Sequence, residues 1–228
     1  LQNVMSHLKP GMKEYQVQAD FEYTVNYLGA DGTSFPTIAG SGANGTMLHY
    51  ETNRDTCEDG TLLLLDLGAK VQGYCADITR TYPVNGVFTP RQRAVYEVVL
   101  AANRAVAAAA RPGVTLSGLN EICKQVLAEG CMKLGLIDSA EKIGTYYMHG
   151  VSHHLGIDVH DVSAGRDEPL KPGAVITDEP GLYIDEWEIG IRIEDDLLIC
   201  EDGCEVLSAD VIREADEIEA FMAQAKRS

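Results

Sequence analysis

Amphipathic segments alternate along the chain with short, continuous apolar runs. One amphipathic segment extends over Leu8–Gly29 and a similar one over Ala110–Gly135. In each, a Pro-Gly pair precedes a polar first turn, and an apolar stripe at helical spacing ends near Leu-Gly. The pattern predicts two equivalent helices. It also predicts a short helix over residues 2–8 and a long alanine-rich helix over Pro90–Ala110.

Each of the two similar segments is followed by strand-like runs. The first is followed by Leu62–Leu67 and Tyr74–Tyr82, and the second by Ala174–Ile184 and Gly190–Ile199, with a turn inside each pair. This internal repeat predicts an α+β fold in which two similar halves surround a curved antiparallel sheet. No low-complexity linker divides the halves, so we interpret residues 1–228 as one domain.

Composition narrows the class of protein. Hydrophobic residues make up 45% and charged residues 23% of the 228 positions, as in an ordinary soluble domain. No apolar run approaches the ~20 residues that span a bilayer, and no basic leader precedes an apolar segment. A net charge of -17 argues against nucleic acid or an anionic membrane as a partner. Because residues 2–8 have the pattern of the end of a helix that is already under way at residue 1, we expect a fragment that lacks an N-terminal domain.

The cysteines indicate a reducing compartment. None of the six forms a C-x-x-C pair, and in a chain of this length they do not resemble a disulfide framework. We therefore predict free thiols and a cytoplasmic protein. Cys200 and Cys204 would form half of a zinc site, but the sequence contains no second half.

Four acidic residues lie in or beside the apolar strand runs. They are Asp66, Asp77, Glu179 and Glu194. An unpaired buried carboxylate is costly. Taken singly, each has a simpler explanation: Asp66 could end a strand, Asp77 could pair with Arg80, and Glu194 could face solvent. Taken together, two acids at matching places in each half predict one cation site between the halves.

The chemistry of this group suits a pair of divalent cations. Carboxylate oxygens favour manganese, magnesium or cobalt, and an imidazole shifts the preference toward transition metals. Two ions joined by carboxylates would lower the pKa of a shared water molecule. By strand alternation, Asp77 should share a face with Cys75 and Thr79, and Arg192 should share a face with Glu194.

Four of the six histidines fall within residues 149–161, written HGVSHHLGIDVHD. The spacing from His149 to His153 would place both on one face of a helix, but Gly150 and Gly156 argue against a helix. The segment is also not H-E-x-x-H, which excludes the zincin pattern.

Five motifs in this order closely resemble the catalytic domain of aminopeptidase P and prolidase, the pita-bread metallopeptidases that act at Xaa-Pro bonds. The motifs are LLLLDLGA, CADITRTYPVNG, HGVSHHLGIDVHD, ITDEPGLYI and GIRIEDDLLI. The resemblance extends from the first Pro-Gly pair to the closing EIEAFM. It implies two divalent metal ions, manganese first with cobalt, zinc or iron as alternatives. It also implies a peptide substrate with proline at its second position and a homo-oligomeric full-length protein.

The resemblance implies a ligand role for five residues. Asp66 would chelate one ion alone, Asp77 and Glu194 would bridge both ions, and His153 and Glu179 would bind the other. Glu179 would also be the general base that handles the proton of the attacking water.

The resemblance implies further roles around the metal ions. His149 and His160 would hold the substrate and stabilise the tetrahedral intermediate, and His49 in LHYETN would be another active-site histidine. Tyr183 and Arg192 would lie near the metals and the substrate.

Two positions depart from the family pattern. The family often has a bulky apolar residue in place of His154. We expect His154 to pack against other residues or to lie at the rim of the site, and not to bind metal. It usually has an apolar residue in place of Asp178. Strand alternation turns Asp178 away from Glu179, so Asp178 needs another partner.

We expect His7 on the surface of the first helix.

The sequence leaves three functions open. The first is a dinuclear exopeptidase that removes an N-terminal residue before proline. The motif SHHLGIDVHD favours this function over the second. The second is prolidase, which is restricted to Xaa-Pro dipeptides. The third is a non-catalytic peptide-binding module, which is disfavoured because such relatives lose metal ligands and all five are present here. The same argument disfavours a metal-free hydrolase such as creatinase. Methionine aminopeptidase lacks the HGVSHHLGIDVHD and LHYETN forms.

Overall fold

The computed structural model describes residues 1–227 and confirms the α+β class. The helices are α1 (Gln2–His7), α2 (Glu14–Tyr27), α3 (Pro90–Ala109), α4 (Leu116–Lys133) and α5 (Ala215–Ala225). The strands are β1 (Gly32–Thr33), β2 (Ile38–Ser41), β3 (Leu62–Leu67), β4 (Ala69–Val71), β5 (Tyr74–Cys75), β6 (Ile78–Pro83), β7 (Val175–Asp178), β8 (Gly181–Ile184), β9 (Ile189–Arg192), β10 (Asp195–Ile199) and β11 (Cys204–Val206).

The predicted repeat is visible in the backbone around α2 and α4. Gly11 and Gly113, which follow the two prolines, have φ angles of 88° and 86°. Gly29 and Gly135, which follow the two helices, have φ angles of 88° and 73°. Left-handed angles of this kind favour glycine, which explains why both segments begin with Pro-Gly and end with Leu-Gly. The two halves therefore share the same turn chemistry at equivalent points.

The strands pair as the repeat predicts. In the first half β3 lies between β2 and β6, and in the second half β10 lies between β7 and β11. Strands β8 and β9 form a separate pair, and β1, β4 and β5 form a small third group. All strand pairings within residues 1–227 are antiparallel.

Three of the predicted strand runs are interrupted. The run Tyr74–Tyr82 breaks between β5 and β6, Ala174–Ile184 breaks between β7 and β8, and Gly190–Ile199 breaks between β9 and β10. Pro180 explains the second break, because proline has no N–H to donate to a ladder. The sheet is thereby divided into short ladders.

The acidic residues lie at these interruptions. Asp77 falls between β5 and β6, Glu179 follows β7, and Glu194 precedes β10. Asp77 therefore does not lie in one continuous strand with Cys75 and Thr79, and the expectation that the three side chains share a strand face stays a prediction. Only Asp66 lies inside a strand, where it faces Thr79 of β6.

Strand β3 is covered on both sides, which explains its unbroken run of leucines. Leu63 and Leu65 belong to the main core, which also contains Val99 of α3 and Leu119 of α4. Leu64 belongs to a second, smaller cluster. That smaller cluster consists of Ile38, Tyr50, Leu64 and Tyr183, with Leu48 at its edge. It lies beneath the candidate site described below.

Arg80 joins the two halves of the fold. Its guanidinium is fully buried and forms an ion pair with Asp195, with a distance of 2.7 Å between Nη2 and Oδ1. Its other N–H groups donate to the backbone carbonyls of Thr79, Glu194, Val211 and Ile212. Arg80 is therefore not the partner of Asp77. A pairing of those two residues was the simplest explanation of Asp77 from sequence, and it is wrong.

We expect Arg80→Met to lower the free energy of unfolding by about 3–5 kcal/mol, because it leaves part of the buried Asp195 charge uncompensated. Urea denaturation of the metal-free protein measures this loss. The control is Arg104→Met, which removes the half-exposed ion pair with Glu214 and should cost about 1 kcal/mol or less. Equal losses in the two variants would contradict the assignment of Arg80 as a buried link.

The structure also bears on the cysteines and on the length of the helices. All six cysteines lie within the described residues and are free thiols, as predicted. No helix in residues 1–227 has the length and apolar character needed to cross a lipid bilayer.

Candidate metal centre

A cavity of about 330 Å³ opens where the two halves meet. Nine of the ten site residues predicted from sequence line it, and the tenth, Tyr183, lies directly behind it. The nine are His49, Asp66, Asp77, His149, His153, His160, Glu179, Arg192 and Glu194. The first half supplies Asp66 and Asp77, whereas the second half supplies His153, Glu179 and Glu194.

The tightest group of ligand atoms belongs to Asp77, His153 and Glu194. One ligand atom from each lies within 4.8 Å of the other two. His153 Nε2 is 3.3 Å from Asp77 Oδ2 and 3.6 Å from Glu179 Oε1. Four protein groups of the types that bind divalent metals thus converge on one point.

The backbone fixes the orientation of His153. Its Nδ1 donates to the carbonyl oxygen of His154 at 3.0 Å, which directs Nε2 toward the carboxylates. Its N–H donates to the hydroxyl of Thr177 in β7 at 3.1 Å. An imidazole whose other nitrogen is held by a carbonyl is the usual arrangement of a metal-binding histidine.

Arg192 and Thr79 organise the remaining carboxylates. Arg192 donates from Nη2 to Asp66 Oδ2 at 2.6 Å, and from Nε to the Thr79 hydroxyl at 3.0 Å. The Thr79 hydroxyl in turn donates to Glu194 Oε2 at 2.6 Å. Arg192 also donates from Nη1 to the Tyr183 hydroxyl at 2.9 Å.

Burial and mutual repulsion raise the pKa values of the acids. Burial raises the pKa of Asp77 to about 6, with repulsion from Asp66 adding to it, although the hydrogen bond from His153 opposes the shift. Burial raises the pKa of Glu179 to about 7, and that of Glu194 well above its ordinary value. Burial disfavours a charge on His153, but the carboxylates outweigh it and raise its pKa. The cluster therefore attracts positive charge.

The donor set fits divalent metal ions. It combines carboxylate oxygens with one imidazole nitrogen, as sites for manganese, cobalt, iron or zinc do. Within the described residues, Asp66 Oδ1 is also buried without a hydrogen-bond partner. An orphaned carboxylate oxygen beside three other acids is costly unless a cation meets it.

His149 takes part in a hydrogen-bond chain. Its Nδ1 lies 2.9 Å from the Gly150 carbonyl oxygen, and its Nε2 lies 2.8 Å from the Tyr183 hydroxyl. Because a carbonyl can only accept, Nδ1 carries the proton and Nε2 accepts from Tyr183. Burial lowers the pKa of His149 to about 4, with Arg192 adding to the shift. A donor role toward substrate would require His149 to exchange one of these bonds, so that role stays a prediction.

His160 and His49 face the same cavity. The ring of His160 packs edge-on against His153, with centroids 4.4 Å apart. Burial and the nearby histidines lower the pKa of His160, so its imidazole is neutral near pH 7. His160 and His49 also line an adjoining cavity of about 230 Å³, whose apolar wall includes Phe35 and Ile38.

The segment 149–161 forms no helix, as its glycines predict. A side chain at Gly150 would meet the Arg166 guanidinium at 2.2 Å, and one at Gly156 would meet the Asp161 carboxylate at 2.0 Å. At both positions the absence of a side chain lets these neighbours approach closely, and neither glycine has a left-handed φ angle.

Sequence reasoning missed several residues at the site. Arg166 lines the cavity, and Asp196 accepts a hydrogen bond from the Asp77 N–H at 3.2 Å. Thr79 was noted only for its strand face, although its hydroxyl links Arg192 to Glu194. The position of Asp196 in GIRIEDDLLI was an available signal, since it is another acid in an apolar strand. We find no comparable signal for Arg166.

Asp178 points away from the cavity, as strand alternation predicts. Its side chain is fully buried, and Asn103 of α3 donates to its Oδ2 at 3.3 Å. It pairs with Asp195 across the ladder, and burial together with that neighbour raises its pKa well above the ordinary value.

The other two histidines lie outside the site. His154 lines a separate surface cavity. His7 is more than half exposed and lies 3.2 Å from Asp20.

The chain is similar to known peptidases over nearly its whole length. The sequence model of metallopeptidase family M24 matches residues 1–201 of this chain. The chain is 42% identical to the Xaa-Pro aminopeptidase of Escherichia coli, with 98% of this chain and 55% of that protein aligned. It is 38% identical to the mitochondrial intermediate cleaving peptidase 55 of Arabidopsis thaliana, over 97% of this chain and 47% of that protein.

Solved structures show the same fold. Aminopeptidase P from Escherichia coli, determined with the inhibitor Pro-Leu, superimposes with a TM-score of 0.96 at 40% identity. The match covers 100% of this chain and 56% of that one. The chain thus spans about half the length of the relatives that it matches.

Proposed function

The chain belongs to metallopeptidase family M24, and on this premise we propose that it hydrolyses the bond between an N-terminal residue and a following proline. The pita-bread fold implied by the sequence is confirmed by the structural match. The observation that carries the proposal is the cavity between the halves, where Asp66, Asp77, His153, Glu179 and Glu194 converge. Its metal-type donors are accompanied by three further histidines and one buried arginine.

We propose that these five residues hold two divalent metal ions, with manganese as the first choice. Asp77 and Glu194 reach the middle of the group, which suits bridging carboxylates, and His153 and Asp66 approach it from opposite halves. When bound, such ions would lower the pKa of water and draw charge from the peptide carbonyl.

Glu179 is the proposed general base. It lines the cavity beside His153, and the Thr177 hydroxyl donates to its Oε1 at 3.3 Å, which fixes the carboxylate. In hydrolysis the oxygen of water adds to the carbonyl carbon, and one proton must travel to the proline nitrogen as the C–N bond breaks. A carboxylate fixed in the cavity can accept that proton from water and pass it to the proline nitrogen.

The histidines and Arg192 are proposed to position the peptide. His49 and His160 face the cavity, where an imidazole N–H can donate to the carbonyl oxygen as negative charge develops there. Arg192 fixes Asp66 and Tyr183, and Tyr183 fixes His149. This chain of bonds makes the wall of the cavity rigid before substrate arrives.

Prolidase activity on Xaa-Pro dipeptides is the second candidate. The cavity does not distinguish the two lengths of peptide. The named relatives favour the first candidate, because the Escherichia coli protein is an Xaa-Pro aminopeptidase. A purely peptide-binding role is disfavoured because no member of the ligand set is replaced.

The decisive experiment compares Ala-Pro-Ala with Ala-Pro on this chain, loaded separately with manganese, cobalt, zinc and iron. We expect release of alanine from the tripeptide, with manganese giving the highest kcat/KM. Ala-Ala-Ala is the matched control for the proline requirement. Cleavage of the dipeptide alone would identify prolidase, and no cleavage with any metal would contradict both peptidase functions.

Further parts of the proposal concern the whole protein. We propose that a longer protein containing this chain as its catalytic domain is a homo-oligomer. Peptides are its proposed partners, and nucleic acid and membranes are not. Its cytoplasmic location stays a prediction from the cysteine pattern.

A further inference from the structure

Glu14, the first residue of α2, is a buried carboxylate for which the proposed reaction has no use. Its exposed fraction is 0%. Four neutral donors surround it: the backbone N–H groups of Ser41 and Asp55, the Asn44 amide and the Tyr50 hydroxyl. The four donor distances lie between 2.8 and 3.0 Å. Burying a charge among neutral donors is costly, so this arrangement requires an explanation.

All four donors belong to one stretch of chain. Ser41 ends β2, and the others lie in the loop of residues 42–61 that connects β2 with β3. Apart from a 3₁₀ turn at Gly42–Thr46, this loop contains no helix or strand. Long loops without secondary structure in a compact domain are usually functional, and they need side-chain anchors to keep a single shape.

The loop carries His49 into the cavity. Its two neighbours in sequence pack inward: Tyr50 is buried in the small cluster with Tyr183, and Leu48 packs at the edge of that cluster. His49 is itself exposed and lines both cavities of the site. Leu48 and Tyr50 therefore hold the backbone on both sides of His49.

Tyr50 is in turn held by Glu14. Its hydroxyl donates to Glu14 Oε2 at 2.8 Å, while Glu14 Oε1 accepts from the Ser41 N–H and the Asn44 amide on the other side of the loop. One carboxylate thus ties the start, the middle and the end of the loop together. Glutamine could not replace it, because its NH₂ group would face donors.

We propose that Glu14 is a positioning residue that holds His49 over the reaction site through Tyr50. The inference rests on the proposed peptidase function and adds to it a residue that lies outside the cavity. Because a catalytic group displaced by ~1 Å can cost ~10²-fold in rate, loss of this anchor should be visible in catalysis. It should also be visible in the mobility of the loop.

The test is a double-mutant cycle on the metal-loaded chain with an Xaa-Pro tripeptide. Glu14→Gln should lower kcat/KM by about tenfold, chiefly through kcat. In a His49→Ala background, Glu14→Gln should have almost no further effect. Equal losses in both backgrounds would show a general structural role and overturn the proposal. So would an unchanged kcat/KM in Glu14→Gln alone.

Tyr50→Phe provides a milder variant should Glu14→Gln fail to fold. It keeps the packed ring and removes only the hydroxyl that reaches Glu14, so it should lower kcat/KM less and show the same dependence on His49. The matched control is Asp20→Asn on the same helix, whose carboxylate lies beside His7 and away from the loop, so this variant should leave activity unchanged.

Hydrogen exchange separates this inference from the proposed function. In Glu14→Gln the amides of Ser41 and Asp55 should exchange faster, whether or not the protein cleaves Xaa-Pro peptides. If the parent cleaves no such peptide but the loop exchange rises, the proposed function fails and the anchor stands. If the parent is active and His49→Ala has no effect, the positioning role is overturned while the function stands.

Discussion

We expect Asp77→Ala to abolish metal binding and to reduce Xaa-Pro hydrolysis to background. Asp77 lies at the centre of the cluster, and its Oδ2 is the carboxylate oxygen nearest to His153 Nε2 at 3.3 Å. If it bridges two ions, its loss removes a ligand from both at once. Elemental analysis after dialysis measures the effect, with two metals per chain expected for the parent and none retained by the variant.

A folding defect would produce the same metal loss, so stability must be measured in the metal-free state. Removing one of four neighbouring acids relieves repulsion, and we expect metal-free Asp77→Ala to unfold at the same urea concentration as metal-free parent or at a higher one. Asp210→Ala, at an exposed position, is the control with intact metal. Two metals retained by Asp77→Ala would show that Asp77 is not a bridging ligand.

We expect Glu179→Gln to reduce kcat by about 10³-fold, within the range attributed to general acid–base catalysis. The substitution keeps the size of the side chain and the contact with Thr177, but an amide cannot accept the proton of the attacking water. KM should change little, because the groups that position the peptide are untouched.

Metal content must be measured in the same sample, since Glu179 is also a proposed ligand. The remaining ligands should retain at least one ion per chain. The exposed Glu168→Gln variant is the control for loss of an acid that lies outside the site. A kcat within tenfold of the parent, with metal retained, would assign the base to another residue.

The limits of helices and strands were predicted well from the sequence where a single physical rule, such as burial on both faces or helix capping, determines them. The run Leu62–Leu67 is a strand with the predicted limits, because continuous apolar residues require cover on both faces. Helix α3 begins at the predicted Pro90, because Thr89 and Gln92 form a capping box there, and it ends at Ala109, one residue before the predicted limit.

The interruptions of the strands could not be predicted from alternation alone. Asp77 and Glu194 were placed inside strands, because the apolar pattern continues past them although the ladder does not. A strand pattern records which side chains are buried, but not whether each backbone group has a partner across the sheet. Pro180 was the one local signal of a break.

The anchors of the site were the least predictable part. Glu14 and Thr79 resemble ordinary surface and strand residues in sequence, and their importance comes from partners far along the chain. Thr79 reaches Glu194, and Glu14 reaches Tyr50. Contacts of this kind follow from the tertiary fold, which a local pattern does not contain.

The buried Arg80 also has a consequence for biosynthesis. Its farthest partner, Ile212, is 132 residues downstream. At ~5–20 residues per second, a ribosome needs on the order of ten seconds to synthesise that interval. During this time the guanidinium has neither its ion-pair partner nor its distant carbonyls, so it must remain hydrated. The first half cannot complete its native core while it is being translated, even though it resembles the second. Repetition in the sequence has therefore not made the halves independent, because the nascent first half must wait for the segment that contains Asp195 and Ile212.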